Sequence, residues 1–233
     1  MVRQLPLNRR GSNHALDLMS NVDSWVKEYL APRYPELVAP YREAVRIAED
    51  ATSRGAISRG PLETLLQHAR NPRKPLGENV ASMLGRLANH FPEAQAGIRE
   101  LAADSQVSAR VNALVALLDH NQGALHEELL SVALTDKSSK VRELAADRIM
   151  YFGIRRLIPD LENAITHATS DKHRETLAWE LALLRDGYFA KKEDGRVWIT
   201  CRTAEGVKST SFPSETFDTA GRDWIAKTAQ VAS

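Results

Sequence analysis

The clearest signal along the chain is an apolar pattern of helical period that recurs. In Ala124-Leu125-His126-Glu127-Glu128-Leu129-Leu130-Ser131-Val132-Ala133-Leu134, apolar residues fall three and four positions apart, which gathers them on one face of a helix. Asp136 through Ser139 reads as a turn, Val141 to Phe152 as a second helix, and Gly153 as its stop. Leu157-Ile158-Pro159-Asp160-Leu161 opens the next helix, with proline in the first turn, where its missing N–H is tolerated. Asn121-Gln122-Gly123 is the equivalent break one unit earlier. Helices this short cannot bury an apolar stripe alone, so neighbouring pairs must stack.

The unit repeats at a fixed interval. Asp104-Ser105-Gln106-Val107-Ser108-Ala109-Arg110-Val111-Asn112-Ala113-Leu114 is followed 32 residues later by Asp136-Lys137-Ser138-Ser139-Lys140-Val141-Arg142-Glu143-Leu144-Ala145-Ala146. Asp falls on Asp, Arg on Arg, and Ala113 on Ala145. A third copy places Arg174 a further 32 residues on, with Asp171 read as its turn aspartate and the turn shortened by three residues. Upstream, Ala81 falls in register with Ala113, without the Asp or Arg. An apolar helix, an Asp turn and a Val-Arg, Ala-rich helix resembles HEAT repeats of the short bacterial type over about residues 76–187. That resemblance implies an α-α superhelix. Scaffolding and partner binding are common among such proteins, and a few are bilin lyases or DNA alkylation-repair glycosylases.

Both ends depart from this pattern. Trp25, Val26, Tyr29 and Leu30 fall on one helical face, and Pro32 with Pro35 is expected to end that helix. Val38 through Ala51 and a helix opening at Pro61 extend or cap the stack. Beyond Gly187 the period changes from helical to alternating. Tyr188 to Lys192, Arg196 to Thr203 and Val207 to Phe212 predict a three-stranded antiparallel meander, with Val197, Ile199 and Cys201 on one face of the middle strand. A final helix follows, with Phe217, Trp224 and Ile225 toward the body. The expected organisation is a mobile stretch over residues 1–12, a helical-repeat domain over 13–187, and a β-meander with terminal helix over 188–233. The meander must pack on the repeats or on a partner, because three strands need a backing surface.

Charge is unevenly distributed. Residues 1–75 carry 12 Lys/Arg against 8 Asp/Glu, residues 76–187 carry 12 against 16, and the remainder 7 against 6. An acidic repeat region argues against a phosphate-binding groove there. No apolar run approaches the length of a membrane span, and no secretory signal is read at the start, so a cytoplasmic protein is the expectation.

Few residues invite chemistry. Recurrence of Asp104/Arg110, Asp136/Arg142 and Asp171/Arg174 makes them a structural ladder tying turns to neighbouring helices rather than catalytic pairs. His120 with His126 and His167 with His173 lie six apart with a break between, unlike the i,i+4 spacing of a helical zinc site. They are read as exposed turn residues, and no metal or cofactor is assigned. Cys201 is read as a buried, inert thiol. Gly11-Ser12 lacks the preceding strand of a phosphate loop.

The remaining candidates lie on the second helix of each pair, which lines the concave side in HEAT-like stacks. They are Arg86, Asn112, Asp147, Arg148, Tyr151 and Trp179, with Asp147 and Trp179 in equivalent positions. Trp179 either anchors an interface or is buried against the meander. The function expected is a non-enzymatic scaffold holding a protein partner along the concave face. The alternative is a nucleic-acid-acting protein similar to the alkylation-repair glycosylases, with Trp179 and Asp147 at a base-binding groove. An auxiliary subunit serving a chromophore protein is a third reading, by analogy of fold.

Overall fold

The computed structural model describes residues 22–204 and 206–229. The stretch expected to be mobile, residues 1–12, and Gly11-Ser12 within it lie outside the described residues. The fold is mainly α, with a small antiparallel sheet and a terminal helix after it.

The chain enters through a helical run made of α1 (Val22–Trp25), a π turn (Val26–Leu30) and α2 (Ala31–Arg33). As expected, the run stops at Arg33, before Pro35 and one residue after Pro32. The π turn precedes Pro32, and the Arg33 guanidinium donates to the carbonyls of Glu28 and Tyr29, as expected where a proline interrupts the ladder. The turn also rotates Tyr29 outward, where it is exposed and stacks on Trp25, while Val26 and Leu30 are buried. The chain only turns at Tyr34, before Pro35 and a short 3-10 segment.

Next come α3 (Val38–Arg54), α4 (Arg59–Ala69), α5 (Lys74–Ala88), α6 (Pro92–Ala102), α7 (Val107–Ala116), α8 (Ala124–Leu134), α9 (Ser139–Phe152), α10 (Ile158–Thr166) and α11 (Asp171–Arg185). Four antiparallel pairs result: α4 with α5, α6 with α7, α8 with α9, and α10 with α11. First helices pack on first helices (α4, α6, α8, α10) and second helices on second helices (α5, α7, α9, α11), giving two layers that share one continuous apolar core. α3 leads the second layer by packing on α5. Gly153 ends α9 with φ +71°, a left-handed stop that glycine reaches without a Cβ penalty.

The second-layer helices α5 and α7 approach closely at one point. A Cβ at Gly85 would stand 2.0 Å from the Ala116 carbonyl oxygen. Gly85→Ala must push two backbones apart, and a loss of about 2 kcal/mol is expected on urea denaturation. Gly60→Ala, on α4 with nothing within 4 Å, meets no such clash with another helix and, placed before Pro61, should change stability by less than about 1 kcal/mol.

The strands β1 (Tyr188–Glu193), β2 (Arg196–Thr203) and β3 (Gly206–Pro213) form an antiparallel sheet in the order β1-β2-β3. Val197, Ile199 and Cys201 are buried on one face under α12 (Arg222–Thr228), with Phe217, Trp224 and Ile225 packed against them. From the other face Phe189 and Val207 pack into the helical core, and the Arg202 guanidinium lies over Gly153. The sheet thus sits on α11, at the end of the stack. Trp198, on the same face as Phe189 but farther from that contact, is 51% exposed.

Candidate functional site

The recurring Asp and Arg residues build a chain of rungs between pairs. Asp104 accepts from the Gln106 N–H and Asp136 from the Ser138 N–H, the two-residue reach of an Asx turn. Each carboxylate also receives an arginine from the preceding pair. Arg70 Nε lies 2.9 Å from Asp104, and Arg110 grips Asp136 through Nε at 2.6 Å and Nη2 at 3.0 Å. Arg110 also donates to the backbone carbonyl of Asp104 six residues back, as Arg142 does to Asp136 and Arg174 to Ala168. Burial pushes the Asp136 carboxyl up, but Arg110 and the Ser138 N–H outweigh it and hold it below the usual aspartate range.

The third rung differs from the sequence reading. Ala168, not Asp171, occupies the position 32 residues after Asp136, and the turn keeps the length of its predecessor. Asp171 is fully exposed in the first turn of α11 and, among the described residues, pairs with Arg174 three residues on. Lacking an aspartate at 168, Arg142 Nε donates instead to His173 Nε2 at 2.9 Å. That bond requires a lone pair on Nε2, so the Nδ1–H of His173 faces the Glu143 carboxylate at 2.9 Å. A cavity of about 320 Å³ lies where the aspartate is missing, lined by Asp136, Arg142, His167 and Thr169 among others.

The histidines are also corrected. His126 and His173 are buried rather than exposed. His126 Nε2 lies 3.0 Å from the Leu117 carbonyl oxygen, and its ring meets Phe152 edge-on. Burial holds both His120 and His126 below the usual imidazole range. No group of three or more His, Cys, Asp or Glu that could hold a metal occurs among the described residues. Cys201 is fully buried, and burial pushes its thiol up.

The six candidates on the second layer separate into two kinds. Arg86 is tied to Asp119 at 3.0 Å, and Ser82 and Asn89 bond the same residue. Asn112 is buried, contrary to a partner-facing role: its Nδ2 donates to the Ala69 carbonyl at 2.7 Å, joining α7 to the end of α4. Asp147, Arg148 and Tyr151 on α9 and Trp179 on α11 are partly exposed, with Trp179 also packed against the helical core.

Glu180, which the sequence reading passed over, belongs with this second kind. In the 32-residue frame Leu84, Ala116, Arg148 and Glu180 form one column, so two ionisable residues stand where the stack earlier has apolar ones. An odd acidic residue in an apolar column was the signal that could have revealed it. Glu180 is 3% exposed, and its Oε2 and the Arg148 Nε have no partner among the described residues. Burial, reinforced by the Asp147 charge and opposed by Arg148, pushes the Glu180 carboxyl up to about 8. Asp147 opens outward, its side chain 42% exposed, yet enough protein surrounds it that desolvation raises its carboxyl, against the pull of Arg148. Arg148 donates to Asp147 Oδ2. Near neutral pH the Glu180 carboxyl is therefore mostly protonated.

In comparisons with protein-family models, curated proteins and solved structures, no match to this chain was found. No helix among the described residues is long and apolar enough to cross a membrane.

Proposed function

We propose that this chain is a helical-repeat module of HEAT type that holds a protein partner along the open face of its second-helix layer, at Asp147, Tyr151 and Trp179. The observation that carries the reading is that Arg148 and Glu180 take successive places in one column of the repeat, each with a buried polar atom that has no partner among the described residues. These two ionisable residues stand where the earlier repeats have Leu84 and Ala116 and take no part in the rungs, and a costly buried group kept without structural need marks a functional place. The ladder residues, by contrast, are engaged with one another. Aromatic side chains beside a polar centre are the composition that anchors protein interfaces.

Against the nucleic-acid alternative stand the acidic balance of the repeat region and the pairing of several of its second-layer cations. Along the second layer Arg86 is paired with Asp119, Arg148 with Asp147, and Lys74 with Glu78. Duplex affinity rests on cations free to neutralise phosphates.

The test is co-purification of the full chain from native cells with quantification of stoichiometric partners. Asp147→Arg and Trp179→Ala should each reduce partner recovery at least about tenfold. Asp147→Arg acts at a partly exposed position outside the apolar core, so it reports on binding even if Trp179→Ala loosens the core. Val132→Ser, at a 61% exposed site on the first layer, should leave recovery unchanged. Equal recovery by all three variants, or salt-dependent duplex binding with no protein partner, overturns the proposal.

A further inference from the structure

We infer that this face contains a receptor for one cationic side chain of the partner, with Asp147 at its front, Glu180 behind, and Tyr151 and Trp179 flanking it. The inference rests on the partner-binding reading of the same face and adds the chemistry that would be recognised there.

Three observations support it. Only one oxygen of Asp147 accepts a hydrogen bond among the described residues, from Arg148, and the side chain remains 42% exposed. Behind it, Glu180 is almost wholly buried and its Oε2 has no donor. That is unlike the ladder, where Asp104 and Asp136 each receive a backbone N–H and an arginine; among the described residues Glu180 is the buried acid with an oxygen left unpartnered. Finally, Tyr151 lies one helical turn from Asp147 on α9, and Trp179 holds the equivalent position on α11. Partly exposed rings beside a carboxylate suit a guanidinium or ammonium, which takes a hydrogen bond partner on one side and a π face on another.

The second carboxyl gives the receptor its proton linkage. Asp147 and Arg148, both on α9, are the charged groups that act on Glu180. Of the charged side chains on the other elements packed against α11, Glu162 of α10 is held by Arg185, Lys191 of β1 by Glu175, and Arg202 of β2 lies over Gly153. An arriving cation supplies the positive charge that Glu180 lacks, favouring its ionised form, so binding expels a proton and tightens as pH rises.

The indole N–H of Trp179, assigned by Trp179→Phe, can be followed by NMR in the full ¹⁵N-labelled chain. Probes are N-acetyl-arginine amide, N-acetyl-lysine amide and the neutral N-acetyl-citrulline amide. At least one cation should give a saturable shift and citrulline none, with affinity falling about tenfold in Asp147→Asn. Affinity for that cation should rise several-fold between pH 6.5 and pH 9 in the wild type and stay flat in Glu180→Gln. No cation-specific saturation up to about 100 mM, unchanged binding in Asp147→Asn, or a flat wild-type pH profile each overturns the inference. Because no partner is used, these results are independent of the co-purification experiment. A partner lost in Asp147→Arg without any amino-acid response would sink the receptor and leave the docking face.

Discussion

Arg110→Ala should cost about 3–5 kcal/mol, because it leaves a buried carboxylate and two backbone carbonyls without their donor. The Arg110 and Asp136 side chains are only 7% and 11% exposed, and the guanidinium also holds the carbonyls of Asp104 and Ser105. The position matters as much as the burial, since the rung spans the junction between the α6–α7 and α8–α9 pairs. In a linear stack, stability is roughly the sum of each unit and its interfaces, so losing one junction loosens the coupling between the two halves. Urea denaturation at pH 7, followed by circular dichroism, should therefore show an earlier and broader transition. Arg174→Ala, at the exposed last position, should change stability by less than about 1 kcal/mol. Equal losses in the two variants would show that the rungs do not carry the junctions.

Glu180→Gln should stabilise the protein, and the gain should grow with pH. In the unfolded chain the carboxyl titrates near its ordinary value of 4.5, and in the folded protein at about 8. Between those values the folded state holds the extra proton, so the wild type loses stability as pH climbs through the window, and the full penalty is reached above pH 8. At about 1.4 kcal/mol per unit, the penalty is on the order of 3–5 kcal/mol. Glutamine has no such ionisation. The variant should thus match the wild type within about 1 kcal/mol at pH 5 and exceed it by several at pH 9, read from denaturation midpoints across the range. A constant difference between pH 5 and pH 9 would remove the buried ionisation from the account.

The helix pairs were legible in the sequence because their punctuation is local. Gly153, the proline in Pro159 and the 32-residue recurrence of Arg110, Arg142 and Arg174 fix starts, stops and register without knowledge of distant contacts. The alternation of Val197, Ile199 and Cys201 did the same for the sheet. What stayed hidden depends on partners far along the chain. Asn112 reads as a polar surface residue until its amide is seen on the carbonyl of Ala69, 43 positions away. His173 reads as a turn histidine until Arg142 is found without an aspartate at 168 to accept from it. The Asp147–Glu180 centre was half visible: Asp147, Arg148, Tyr151 and Trp179 stood out by type and helix position. Glu180 did not, because its meaning lies in the column with Leu84 and Ala116, not in its neighbours.

The forward reach of the rungs gives the molecule a head and a tail. Each inner arginine extends toward the pair that follows, whereas Arg174 turns back on its own turn and the sheet occupies the end beyond it. Modular growth is therefore possible only from within. A duplicated α8–α9 unit spliced ahead of α10 would receive Arg142 on its aspartate and offer a fresh arginine to His173. The same unit appended after α11 would have to evict the sheet from its seat.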